Sequence, residues 1–354
     1  MSEVSFGKFV SLSQAVDLII ANPDLRFMLE GEPGIGKSSM LKVIGERTGY
    51  PTAYIDVPNM DLGDIAMPVV NRESRVTEYF PNSMFKLHLG VPVAIMADEY
   101  PKGPDTVKNM LHPLFEKTNP RLGDVPVPKG SHIFMTGNLS TDGVGDTLKS
   151  HSINRLVRIK VRKPNAEEWV AWAIGAGINP IVVAWVNRFP HVMCSYLEPG
   201  QGDNVYIFNP KRPQASFVSP RSLESASSLF NRADQYDGEA LLAALIGTVG
   251  EAGARDLYSF KEVSDQLPIW EAVLKSPDTV DVPTSPGACA ITVFGAIARV
   301  TKESINPFME YLQRFPAEWQ AVFAINIAKN PAKQAIAFAS RSFAEWVAKN
   351  QDLL

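Results

Sequence analysis

A parallel β-sheet covered by helices on both faces, followed by a purely helical region, is the fold class the sequence predicts. Three observations carry this α/β reading. Short β-like apolar runs alternate with helical patterns over residues 1–163, a glycine-rich turn joins the first run to a helix, and beyond residue 163 the strand signals stop while amphipathic spacing continues. In sheets of this kind a ligand sits at the carboxyl ends of the strands.

The β-like runs lie at 26–29, 53–57, 93–97, 132–136 and 156–161, which predicts a five-stranded parallel sheet. The first, Arg26-Phe27-Met28-Leu29, reads as a short buried strand, and residues 39–47 have apolar positions at helical spacing. Between them stands Gly31-Glu32-Pro33-Gly34-Ile35-Gly36-Lys37-Ser38, which meets every fixed position of the phosphate-loop pattern G-x-x-x-x-G-K-[ST]. The chemistry requires those residues. Glycines let several backbone N–H groups turn onto one anion, and a side chain at Gly36 would take space that phosphates need. Lys37 offers an ammonium to the β- and γ-phosphates, the Ser38 hydroxyl a ligand to Mg²⁺, and the helix opening at Ser39 a partial positive charge. Gly31, Pro33, Gly34, Ile35, Gly36, Lys37, Ser38 and Ser39 are therefore the expected nucleotide-binding residues.

The third run ends in Asp98-Glu99. Following a phosphate loop by about 60 residues, such a strand delivers Asp98 toward the Mg²⁺ shell and Glu99 toward a water that attacks the γ-phosphate. The fourth ends at Thr136-Gly137-Asn138, where the Asn138 amide is placed to hold that water or to serve as an ordinary turn asparagine.

Composition bounds the remainder. The chain has 354 residues, 45% of them hydrophobic and 20% charged, enough for a large core and a smaller unit and contrary to disorder. Formal net charge is −4 with Lys and Arg dispersed, so no basic stripe announces a nucleic-acid partner. Cys194 and Cys289 lack metal-ligand spacing and read as reduced thiols of a cytoplasmic protein; five histidines form no ligand pair. No secretory leader is read at Met1, and the apolar stretches 241–249 and 288–298 are too short to span a bilayer.

A domain boundary is expected at Lys163-Pro164-Asn165, where proline ends the last strand and Asn165 caps a helix. Helical patterns follow at 166–174, 181–188, 223–233 and 239–249, with a loop rich in Pro, Gly, Asn and Gln at 198–216. Residues 257–354 carry no motif and read as a packed helical bundle.

Taken in order and spacing, Gly31–Ser38, Asp98-Glu99, Thr136-Gly137-Asn138, Asn154-Arg155-Leu156 and Ser219-Pro220-Arg221 resemble the AAA+ ATPases of the MoxR-like branch over roughly residues 1–255. The resemblance implies an AAA+ core at 1–163, a helical lid with sensor 2 at 164–256 and a C-terminal extension at 257–354. It implies ATP as nucleotide, Mg²⁺ held by Ser38 and Asp98, and a homo-oligomeric, usually hexameric, ring. Arg155 matches the arginine finger that a neighbouring subunit supplies, with Arg158 as a nearby competitor and a surface ion pair as the plainer role for either. Arg221 matches sensor 2, or is an exposed arginine of a first helical turn. Residues 59–68 resemble an insert near the ring's central opening, where Met60, Ile65 and Met67 either meet a partner or pack inside, and 119–128 resembles a hairpin before sensor 1. The implied activity is ATP-driven remodelling or assembly of a protein partner, a von Willebrand-type A domain protein being the partner class. A nucleic-acid motor or loader on the same core and a nucleotide-gated scaffold with slow hydrolysis are the alternatives; a small-molecule kinase would leave Arg155 and Arg221 unexplained.

Overall fold

A computed structural model of the chain describes residues 9–139, 156–212 and 214–353. The chain divides between Lys163 and Pro164 into two compact units.

In the first unit, β1 (Arg26–Glu30), β2 (Thr52–Asp56), β5 (Ala94–Asp98), β8 (His132–Gly137) and β9 (Val157–Lys160) form a parallel sheet in the order β2-β5-β8-β1-β9. Two antiparallel hairpins stand apart from it, β3 (Ala66–Asn71) with β4 (Val76–Pro81), and β6 (Arg121–Leu122) with β7 (Val125–Pro126). Helices α1 (Leu12–Ala21), α2 (Ser39–Thr48), α3 (Leu62–Ile65) and α4 (Asp105–Leu111) complete the unit.

Strand alternation produces the layers, because successive side chains point to opposite faces. Phe27, Leu29, Ala94, Met96 and Phe134 join Val16 and Ile19 of α1 and Leu41 and Ile44 of α2 in one core. Met28, Ile95, Ala97, Ile133 and Met135 face the other way, onto Val107 and Leu111 of α4 and Phe85. The central strands are buried on both faces, which is why they read as unbroken apolar runs.

The second unit is helical. Its first helix, Ala166–Gly175, starts in a capping box: the Asn165 side chain accepts from Glu168 N, and Glu168 Oε2 accepts from Asn165 N. Helix Gly238–Asp265 is kinked at Gly250 and continues across the boundary expected after residue 256. Helix Pro286–Arg299 packs on helix Pro180–Arg188, and one apolar core takes in Trp185, Leu245, Ile297, Phe308 and Phe323 from both sides of that point. The described residues of 198–216 are irregular apart from one short turn of 3₁₀ helix, yet they are anchored by buried Ile207 and by Phe208, whose ring meets Tyr196 and Phe217.

Among the described residues no helix is long and apolar enough to cross a membrane, and no cluster of three or more His, Cys, Asp or Glu is placed to hold a metal. Cys194 and Cys289 are not joined in a disulfide.

Candidate functional site

The sheet order brings distant segments together. β1 lies beside β8, and β8 beside β5, with Glu30 in register with Gly137 and Ala97 with Met135. The carboxyl ends of these three strands therefore carry the 31–38 loop, Asn138 and Asp98-Glu99 side by side. A backbone bond from Gly31 N to the Gly137 carbonyl, 3.3 Å, ties the loop's first residue to the residue before Asn138.

Backbone geometry explains the loop's composition. Gly36 has φ 101°, a left-handed value that an L side chain rarely adopts. A Cβ at Gly31 would lie 2.7 Å from the Val161 carbonyl oxygen, so that position admits glycine alone without a shift of backbone. Ile35 is buried among the α1 and α2 side chains, leaving only its backbone to face a ligand. Pro33 lacks an N–H and can shape the loop but not donate. Lys37 Nζ donates to the carbonyls of Gly31 (2.7 Å) and Glu32 (2.8 Å), and the exposed Ser39 donates its hydroxyl to the Gly36 carbonyl at 2.7 Å.

Ser38 occupies the N-cap of α2 without a side-chain cap bond. Its hydroxyl turns instead to Asp98 Oδ2, at 3.2 Å. The phenol of Tyr54 donates to that same oxygen at 2.9 Å, while the Thr136 hydroxyl donates to Asp98 Oδ1. Three hydroxyl donors from three separate segments thus surround one carboxylate.

Glu99 departs from the extended path of its strand. Its φ and ψ are 49° and 34°, a left-handed conformation uncommon for a residue with a side chain. Thr136 Oγ1 accepts its N–H at 3.1 Å, its carbonyl accepts from Lys102 N at 2.9 Å, and its carboxylate meets Lys102 Nζ at 2.9 Å. The next residue, Tyr100, is buried edge-on against Phe115, and burial pushes its phenol up to about 12, so it stays neutral in the physiological range.

The two arginines near the last strand have different standing. Arg158 on β9 forms an ion pair of 2.5 Å with Glu30 of β1, within its own chain. Arg155 lies outside the described residues, as do Asn154 and the segment before it. Arg221 follows Pro220 at the start of helix Pro220–Phe230 in the second unit, exposed, with Ser219 and Ser222 forming the cap.

Met60, Ile65 and Met67 separate. Met60 and Ile65 pack in the core that faces α4, whereas Met67 is exposed at the base of the β3–β4 hairpin. Sequence reading missed that hairpin, and it missed Tyr54 and Thr136 as partners of Asp98. The one available signal was polarity: each is a hydroxyl-bearing residue inside a β-like run.

No family model matches the chain, and no curated protein does either. Among solved structures, a protein of Cytophaga hutchinsonii provisionally named an ATPase is similar at a TM-score of 0.32 and 12% identity, over 97% of this chain and 89% of that one. The architecture itself is an α/β core, a parallel five-stranded sheet between helices, with a helical region after it.

Proposed function

We propose that this chain is a Mg²⁺-dependent ATP hydrolase of the AAA+ type, MoxR-like in its motifs, which acts as a cytoplasmic ring on a protein partner. The observation that carries the reading is the convergence of Ser38 and Asp98 at the mouth of the 31–38 loop.

Each residue has a defined task in this reading. The loop amides and Lys37 bind the phosphates, and Asn138 and Glu99 orient the attacking water, with Glu99 as base. The site residues suit Mg²⁺: a serine hydroxyl and a single carboxylate are hard oxygen donors that leave room for waters and phosphate oxygens. When bound, the ion supplies neutralisation of charge on the β- and γ-oxygens. Arg155 from a neighbouring subunit and Arg221 from the second unit would stabilise or sense the γ-phosphate; Arg158 is the weaker choice because Glu30 already engages it. The ring, hexameric by resemblance, follows from a finger residue supplied in trans.

A protein partner is supported by the β3–β4 hairpin, which exposes Met67, Val69, Val70, Val76, Tyr79 and Phe80. The hairpin is tied to the β6–β7 hairpin through Tyr79 and Asp124, but these apolar side chains are left uncovered, and an exposed apolar patch invites a covering surface. A von Willebrand-type A domain protein is the proposed partner class, by resemblance. The net charge of −4 favours a protein over a nucleic acid.

The test is ATP turnover as a function of protein concentration, with and without Glu99→Gln. Turnover rising with assembly and lost in Glu99→Gln, with ATP still bound, supports the reading. Full turnover in the variant removes Glu99 from its role, and steep stimulation by DNA or RNA favours a nucleic-acid motor instead.

A further inference from the structure

We propose that Thr136 is a positioning residue for hydrolysis, one whose hydroxyl sets the direction of Glu99 and Asp98 together; this rests on the hydrolytic reading above. A threonine hydroxyl has one hydrogen to give and two lone pairs. Thr136 gives its hydrogen to Asp98 Oδ1 and accepts the Glu99 N–H at 3.1 Å. Its side chain is fully buried, so water cannot replace it in either bond.

The second bond matters for chemistry because of where Glu99 sits. A left-handed backbone at a non-glycine residue persists only where its surroundings hold it. Here the N–H is held by Thr136 and the carbonyl by Lys102 N. Without the Thr136 oxygen, the 98–99 peptide loses its anchor and can rotate toward the extended conformation, which swings the Glu99 carboxylate away from the place it takes at the end of β5. The Lys102 ammonium contacts the carboxylate itself, partly exposed, and has less hold on the backbone. One oxygen therefore couples the residue placed at the metal to the residue placed at the water.

Thr136→Val keeps the shape and removes both bonds; Thr136→Ser keeps both. In Thr136→Val, kcat is expected to fall about 10- to 100-fold, the scale of a misplaced catalytic group, with nucleotide affinity nearly unchanged. Thr136→Ser restores most of the rate. On the Glu99→Gln background, Thr136→Val costs less than it does in the wild type, because the part that acts through Glu99 is already lost and only the part that acts through Asp98 remains. Hydrogen exchange of the Glu99 amide, followed in the same folded proteins, rises in the valine variant and not in the serine one. A wild-type protein that turns over ATP beside an equally active Thr136→Val overturns the proposal alone, as does a full additional loss on the Glu99→Gln background. A wild type without turnover overturns the hydrolytic reading and this proposal with it.

Discussion

Ser38 Oγ stands 3.2 Å from Asp98 Oδ2, although 60 positions of chain separate the two residues. The contact exists because β5 runs parallel to β8, and β8 to β1, so that a loop leaving β1 and an acid ending β5 emerge on the same edge of the sheet. A hydroxyl that would ordinarily cap its helix is diverted to a carboxylate.

The proposed metal dependence rests on that pair. Chelation of Mg²⁺ is expected to abolish ATP turnover, and Asp98→Asn to raise the Mg²⁺ concentration for half-maximal rate by about tenfold or more, the worth of a charge-assisted contact. Unchanged Mg²⁺ titration in Asp98→Asn would place the ion elsewhere.

Lys37→Ala removes the ammonium held at the loop mouth by the carbonyls of Gly31 and Glu32. Calorimetric ATP affinity should drop roughly 10- to 100-fold, since a hydrogen bond to a charged group contributes about 1.5–3 kcal/mol.

Alkaline stability has a defined window. Tyr100 and Tyr311 are buried, and burial pushes both phenols from an ordinary 10 up to about 12. The folded protein then holds protons that the unfolded chain releases, so stability is complete below pH 10 and declines as pH rises toward about 12. Denaturant midpoints measured across that range, with phenolate absorbance as a second probe, should show the decline; a flat profile would contradict it.

Phe308 is fully buried in the helical unit, its ring 5.1 Å from that of Phe323 and 5.4 Å from that of Trp270. Phe308→Ala should destabilise that unit by about 3–5 kcal/mol through lost contacts and a residual cavity. Chemical denaturation followed by tryptophan fluorescence reads this directly.

On the exposed hairpin, Val70→Asp with Phe80→Ser should change stability by no more than about 1 kcal/mol, about 0.5 for each exposed position, and leave ATP affinity as it is. Partner retention by the Glu99→Gln protein under ATP should be lost in the same double variant. Retention at the wild-type level would move the partner surface off the hairpin.

How much of this was legible depended on how local the signal is. The central strands β1, β5 and β8 are visible as apolar runs, because burial on both faces leaves no polar alternation to confuse them, and the outer strands β2 and β9 as short β-like runs whose exposed positions alternate with or outnumber the covered ones. The hairpin was illegible for the opposite reason. Met67, Val69 and Val70 lie on both faces of a two-stranded ribbon that is exposed over most of its length, Pro68 and Pro81 interrupt the β pattern, and no Asn-Gly or Asp-Gly turn marks the bend. The continuous helix across residue 256 escaped notice because Gly250 breaks its period midway.

The sequence by itself determined the groups: a glycine loop with Lys37 and Ser38, an acid pair, an asparagine after a strand, and the periods that make strands of some segments and helices of others. These are local matters of backbone freedom and side-chain spacing. Only the tertiary structure decided which of them meet. Strand order depends on how whole faces of a sheet bury against helices, and no short window contains that information. The same folding gave Asp98 its hydroxyl partners in Tyr54 and Thr136, engaged Arg158 with Glu30, buried Met60 and Ile65, and left Met67 in solvent.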